Sequence, residues 1–137
     1  MKNALKIIAF FSAILLSSCS LFEEESLIST DFLKTKSGLK IWKLKSYDLN
    51  GQSILSDCTK DDTFVFDQDA KEYQWKKNQL SCFEGDKDES FEFIWSEDKK
   101  TMKINGNDFQ VVSIDHGNLI LKMVLSGHTY DLWYVPA

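Results

Sequence analysis

Leu119-Ile120-Leu121-Lys122-Met123-Val124-Leu125 lies between two turn signals, His116-Gly117-Asn118 and Ser126-Gly127. Leu119, Leu121, Met123 and Leu125 occupy every second position, the spacing that puts side chains on one face of a strand. A helix would instead repeat its apolar residues three and four apart. The alternation recurs along the chain. Trp42 and Leu44 oppose Lys43 and Lys45, and Phe64 shares a face with Phe66. Tyr73 and Trp75 stand against Glu72, Gln74 and Lys76. Phe91, Phe93 and Trp95 line up, Met102 and Ile104 flank Lys103, and Tyr130, Leu132 and Tyr134 close the chain. These are half-buried antiparallel strands. Asn50-Gly51 and Asn105-Gly106 are tight-turn signals, and polar runs at 67–69, 84–89 and 97–100 mark further turns.

Eight strands are expected, near 39–48, 62–67, 71–77, 90–96, 100–105, 108–115, 118–125 and 129–135. Residues 109–114 (FQVVSI) break the parity: Phe109 and Val111 share one face, Val112 and Ile114 the other. A β-bulge would reconcile them; a strand buried on both faces is the alternative. No later segment reads as a long amphipathic helix, although Ser29 or Thr30 could cap a short turn at 31–36. Short sequential strands with tight turns imply an all-β fold. An eight-stranded antiparallel up-and-down β-barrel removes sheet edges by closure; a two-sheet sandwich fits the same pattern.

The N-terminus is of another kind. Lys2 and Lys6 precede residues 7–16 (IIAFFSAILL), ten residues of which nine are apolar. That run is shorter than the roughly 20 residues a spanning helix needs, and matches the core of a secretory signal. Leu16-Ser17-Ser18-Cys19 then resembles a bacterial lipobox. The resemblance implies a lipoprotein signal peptide at 1–18, a lipid thioether on Cys19, cleavage before it, and acylation, such as palmitate, of the new amine. Each buried CH₂ contributes about 0.8 kcal/mol, so several acyl chains hold a protein at a membrane. Glu23, Glu24 and Glu25 follow, read as part of a lipidated acidic tether over 19–36. They also resemble the acidic cluster that directs some lipoproteins to the cell surface. The expected location is therefore the outer membrane, with the surface-export signal carried by the glutamates.

Cleavage would leave 119 of the 137 residues, enough for one domain with one core, here assigned to 37–137. Loss of Lys2 and Lys6 takes the formal net charge from −5 to −7. All 16 basic residues are lysine. An acidic chain without arginine is poorly matched to nucleic acid, which needs clustered basic side chains. Cys58 and Cys82 would meet an oxidising compartment, where one disulfide between them is the favoured reading. A metal pair is the rival, though no Cys-x-x-Cys or nearby histidine supports it.

Several of these features together resemble bacterial lipocalin-like lipoproteins. Gly38 with Ile41-Trp42-Lys43-Leu44 looks like that family's opening strand, whose tryptophan packs across the barrel floor. Cys58, Asp61-Asp62-Thr63-Phe64 and Phe66 resemble its cysteine, acidic pair and Phe-x-Phe strand, and Cys82 its second cysteine. Phe93 with Trp95, residues 98–104, and Leu119 with Leu121 continue the likeness over about 38–135. A glycine two residues before the tryptophan is replaced by Lys40.

Catalytic signals are sparse. His116 and His128 both sit at turn sequences, and Gly-x-Ser-x-Gly, His-Glu-x-x-His and phosphate-loop motifs are missing from the sequence. Asp57, Asp61 and Asp62, and then Asp67, Asp69 and Glu72, lack the spacing of a calcium loop. No catalytic residue, metal or cofactor is expected. The resemblance and the inward aromatics imply a non-catalytic protein that takes a small apolar ligand in or at the mouth of the barrel. Trp42, Phe64, Phe66, Tyr73, Trp75, Phe93, Trp95 and Tyr130 are the ligand-binding candidates, with Tyr73, Tyr130 and Ser113 as polar groups able to orient a ligand. The alternative is a filled barrel whose loops meet another protein, since an eight-stranded barrel can be packed solid or can hold one small ligand.

Overall fold

The computed structural model of the protein describes residues 30–137. The leader, Cys19 and the glutamates Glu23, Glu24 and Glu25 lie outside the described residues. A 3₁₀ turn, Thr30–Leu33, leads into a small ladder of β1 (Lys34–Thr35) and β2 (Gly38–Leu39). The larger sheet contains β3 (Ile41–Leu49), β4 (Gln52–Ser53), β5 (Thr63–Asp67), β6 (Glu72–Lys76), β7 (Glu89–Trp95), β8 (Thr101–Ile104), β9 (Asn107–Ile114), β10 (Leu119–Leu125) and β11 (His128–Pro136). One helical turn, α1 (Asp57–Lys60), stands between β4 and β5.

Strands β5 to β11 run up and down in sequence order, β5 pairs back onto β3, and β11 closes on β3 through seven register pairs. The two-residue β4 only extends the far end of β3, so eight strands form the wall. The closed ladder excludes the sandwich. Every expected strand ends within two residues of an observed one.

Alternation becomes burial as the pattern requires. Trp42, Phe64, Phe66, Phe93, Met102, Leu119 and Leu121 all point inward and are almost completely buried. Asn105-Gly106 and Ser126-Gly127 make two-residue hairpin turns in which both residues have positive φ, a geometry that suits Asn and Gly. The parity break at 109–114 is a bulge: Ser113 pairs with Ile120 and Val111 with Leu121, leaving Val112 over and half-exposed. The stripe at 119–125 reaches the core only in its first half. Leu119 and Leu121 are buried, whereas Leu125 is exposed, because β9 stops pairing at Lys122 and β10 runs on with β11 alone.

Two further features differ from the sequence reading. Core contacts begin before residue 37: Leu33, placed in the tether, is in the core, and its carbonyl accepts a 2.9 Å hydrogen bond from the Lys40 backbone. The turn at α1 has no long apolar periodicity to announce it; a single helical turn is too short to show one.

Cys58 of α1 is bonded to Cys82 in the loop between β6 and β7, with the Cα atoms 5.2 Å apart. The bridge closes a loop of 24 residues in separation, which on the chain-entropy account stabilises the fold by roughly 3 kcal/mol. A Cys58→Ser, Cys82→Ser double variant is therefore expected to lose about that much in urea unfolding. A loss under about 1 kcal/mol would show that the bridge does not limit the unfolded chain as this account requires.

Candidate functional site

The barrel wall is weakest between β3 and β5, which share only two register pairs, Ile41↔Val65 and Trp42↔Phe64. Beyond Trp42, β3 turns away from β5 and takes β4 on its free edge. A bulge helps: Trp133 pairs with Ser46 and Tyr134 with Leu44, so Lys45 is skipped. The skip shifts the parity of β3, and Leu44 and Tyr47 both reach the interior. On the outer face the displaced Lys45 ammonium lies 3.7 Å from the centre of the Trp133 ring.

A pocket of about 210 Å³ opens at this seam. Leu44 and Tyr47 of β3 form one wall and Phe64 of β5 with Tyr73 and Trp75 of β6 the opposite one. Leu132 and Tyr134 of β11 make the back, while Ile54 and Thr59, on either side of the start of α1, form the lip. Below it the barrel is filled. Phe66 meets Phe93 and Tyr134 edge-on at ring separations of 5.6 and 5.4 Å, and stands 5.0 Å from Tyr73.

The eight candidates therefore divide. Phe64, Tyr73 and Trp75 line the pocket. Trp42, Phe66, Phe93 and Trp95 are buried in the packed interior and are not among the pocket's lining residues. Tyr130 is half-buried beside Tyr47, ring centres 6.3 Å apart, outside the pocket lining, as is Ser113. Tyr47, Leu132 and Tyr134 were not candidates. The phase change between Leu44 and Tyr47, of the same kind as that at 109–114, was the available signal for Tyr47.

The pocket wall is held by a buried ionic cluster. Trp75 Nε1 donates to Asp62 Oδ2 at 2.7 Å, and the Lys77 ammonium lies 3.3 Å from the centre of the Trp75 ring. Lys77 Nζ sits 3.7 Å from Asp62 Oδ2 and 3.3 Å from Asp86 Oδ1, and all three charged side chains are at most 8% exposed. Asp62 Oδ1 also accepts the Asn78 backbone N–H, and the Asp61 carboxylate accepts those of Gln79 and Leu80. The acidic pair thus folds the β6–β7 loop and orients Trp75.

The hydroxyls of Tyr73 and Tyr134, two of the lining residues, are 3.4 Å apart. Burial is the main cause that pushes both phenols above their ordinary range, and for Tyr73 the neighbouring Tyr134 adds to it. The unfolded chain ionises them near pH 10, so above that pH it binds fewer protons than the fold and stability falls. Stability is thus fully present below about pH 10 and is lost as pH rises beyond it. Alkaline titration should show the last tyrosinate absorbance appearing together with unfolding; tyrosinate formation complete before any loss of β-sheet signal would contradict this.

The remaining polar candidates have local structural partners. The His116 carbonyl accepts from Lys40 Nζ, and His128 Nδ1 is 3.0 Å from Asn50 Nδ2. Asp67 Oδ1 accepts the backbone N–H groups of Asp69 and Ala70. Among the described residues, no three His, Cys, Asp or Glu side chains gather as a metal site would require.

A family model of a lipocalin-like domain matches residues 39–121, from the start of the barrel to the middle of β10. The chain belongs to the lipocalin-like domain family. No curated protein matches its sequence at a significant level. In this lipocalin-like domain the matched stretch carries the floor and the Phe64–Tyr73–Trp75 wall, while β11, with Leu132 and Tyr134, lies beyond it.

Proposed function

We propose that this lipocalin-like protein is a lipid-anchored, non-catalytic component of the cell envelope that holds a small, largely apolar ligand at the mouth of its barrel. The observation that carries the ligand reading is the 210 Å³ aromatic pocket above a filled floor. Pockets of this kind join apolar walls to a few placed polar groups, here tyrosine hydroxyls. The anchor, the outer-membrane location and the surface address rest on the lipobox at Leu16–Cys19 and on Glu23, Glu24 and Glu25.

Native mass spectrometry of protein purified from its own cells should find a small molecule that is lost from a Trp75→Ala variant. A bare protein of the same mass in both would count against tight carriage. Cys19→Ser should move the protein out of the membrane fraction, and unchanged partition would remove the anchor. Protease shaving of intact cells, with the three glutamates replaced by alanine, tests the surface address.

One observation favours a second reading. Leu80 and Phe83, in the loop stapled by Cys82, are 53% and 68% exposed. Exposed apolar side chains beside the mouth suit a contact with another envelope protein, the interaction-module alternative. A Leu80→Ser, Phe83→Ser variant that keeps its small molecule but loses a crosslinked partner would favour that reading.

A further inference from the structure

Resting on the ligand reading above, the geometry points to a definite ligand class: a compact, uncharged ring compound bearing one hydrogen-bond acceptor, seated against the Tyr73–Tyr134 hydroxyl pair. Size comes first. At the density of protein interiors, a 210 Å³ space is filled by a molecule of about ten non-hydrogen atoms, so an extended acyl chain does not fit inside.

Charge comes second. No Lys, His, Asp or Glu lines the pocket, and the whole chain has no arginine. The charges behind the Trp75 wall, Asp62, Lys77 and Asp86, are engaged with one another and carry two negative charges against one positive. An anionic head group would lose its water for no counter-charge, a large penalty. Trp75, the ring type best suited to hold a cation, already has the Lys77 ammonium against it.

Polarity comes third. Each tyrosine hydroxyl has one O–H to donate. Among the described residues, the hydroxyls of Tyr73 and Tyr134 have only each other as partners. One O–H satisfies the other oxygen, and the second donor is left to meet a carbonyl, ether or hydroxyl oxygen of the ligand. Both hydroxyls are protonated at neutral pH, since an ordinary phenol ionises only near pH 10 and burial pushes these two further up, so the donor is always present.

The test uses the full lipidated chain in lipid nanodiscs, with equilibrium dialysis against empty discs as blank. The probes are acetophenone, its near-isosteres benzoate, benzylamine and ethylbenzene, and dodecanol. Acetophenone should bind saturably, ethylbenzene several-fold more weakly, benzoate and benzylamine more weakly still, and dodecanol should not displace acetophenone. In a Tyr73→Phe, Tyr134→Phe variant, which keeps both rings, acetophenone should lose about five-fold, the worth of one hydrogen bond, with ethylbenzene unchanged. Benzoate or benzylamine binding as tightly as acetophenone, displacement by dodecanol, or equal acetophenone affinity in both proteins would overturn the ligand class while leaving pocket carriage standing. Saturable binding by none of the probes would overturn the ligand class and the ligand reading together.

Discussion

Replacing Asp62 with alanine should lower the unfolding free energy by about 3–5 kcal/mol, the cost of removing one member of a buried ionic cluster. Its side chain is 1% exposed and serves three partners at once: the Trp75 indole, the Asn78 backbone and the Lys77 ammonium. Without it, the indole N–H and the Asn78 N–H each lose an acceptor inside the protein, where an unmet donor costs about 1–3 kcal/mol. Lys77 keeps only Asp86. Asp62→Asn retains an oxygen for Trp75 but not the charge facing Lys77, so it should fall between wild type and alanine. Urea unfolding followed by tryptophan fluorescence measures both. A change below about 1 kcal/mol for alanine would mean that water re-enters the cluster and replaces the carboxylate.

Phe66→Ala should cost a comparable amount, about 3–5 kcal/mol, for a different reason. The Phe66 ring has no exposed surface and touches Phe93, Tyr73 and Tyr134. Its loss opens a void directly beneath the tyrosine pair. Neighbouring rings on paired strands cannot collapse far into such a space, so both the transfer and the cavity penalties apply. Phe66→Leu, which fills most of that volume, should lose less than half as much. If alanine and leucine proved equally mild, the floor would be more compliant than its edge-on ring contacts imply.

The two effects bear on what could be read before the structure. Period-two alternation was enough to assign the strands and their inward faces, because an inward residue at every second position leaves one choice of face per strand; closure into a barrel is decided by the β11–β3 pairing. The bulge at Val112 was visible because its two apolar pairs fall out of phase. That Trp42, Phe66, Phe93 and Trp95 face inward follows from the same stripes; that they are packed floor and not ligand contacts does not. Nor does the pocket. It exists because β3 and β5 part after two register pairs, because Lys45 is skipped against β11, and because a one-turn helix is stapled across the gap. Each is a relation between segments distant in sequence. Single-strand patterns carry no information about which neighbours separate, so Trp42 and Trp75, both candidates, could not be told apart as floor and wall. In sequence Asp61 and Asp62 show only as an acidic pair without calcium-loop spacing, since nothing local announces that a loop sixteen or more residues on will bring its backbone N–H groups to them.

The closure of β11 on β3 joins the two ends of the domain. Along one edge, residues 42–49 find their partners at 130–136, a separation in sequence that is nearly the length of the domain. Such non-local pairing places all-β domains among the slower folders, in milliseconds to seconds rather than microseconds. A chain emerging N-terminus first has no barrel, and no back wall for its pocket, until its last strand is free. The nine-residue β11 therefore acts as a latch: by docking it converts an open meander into a closed container.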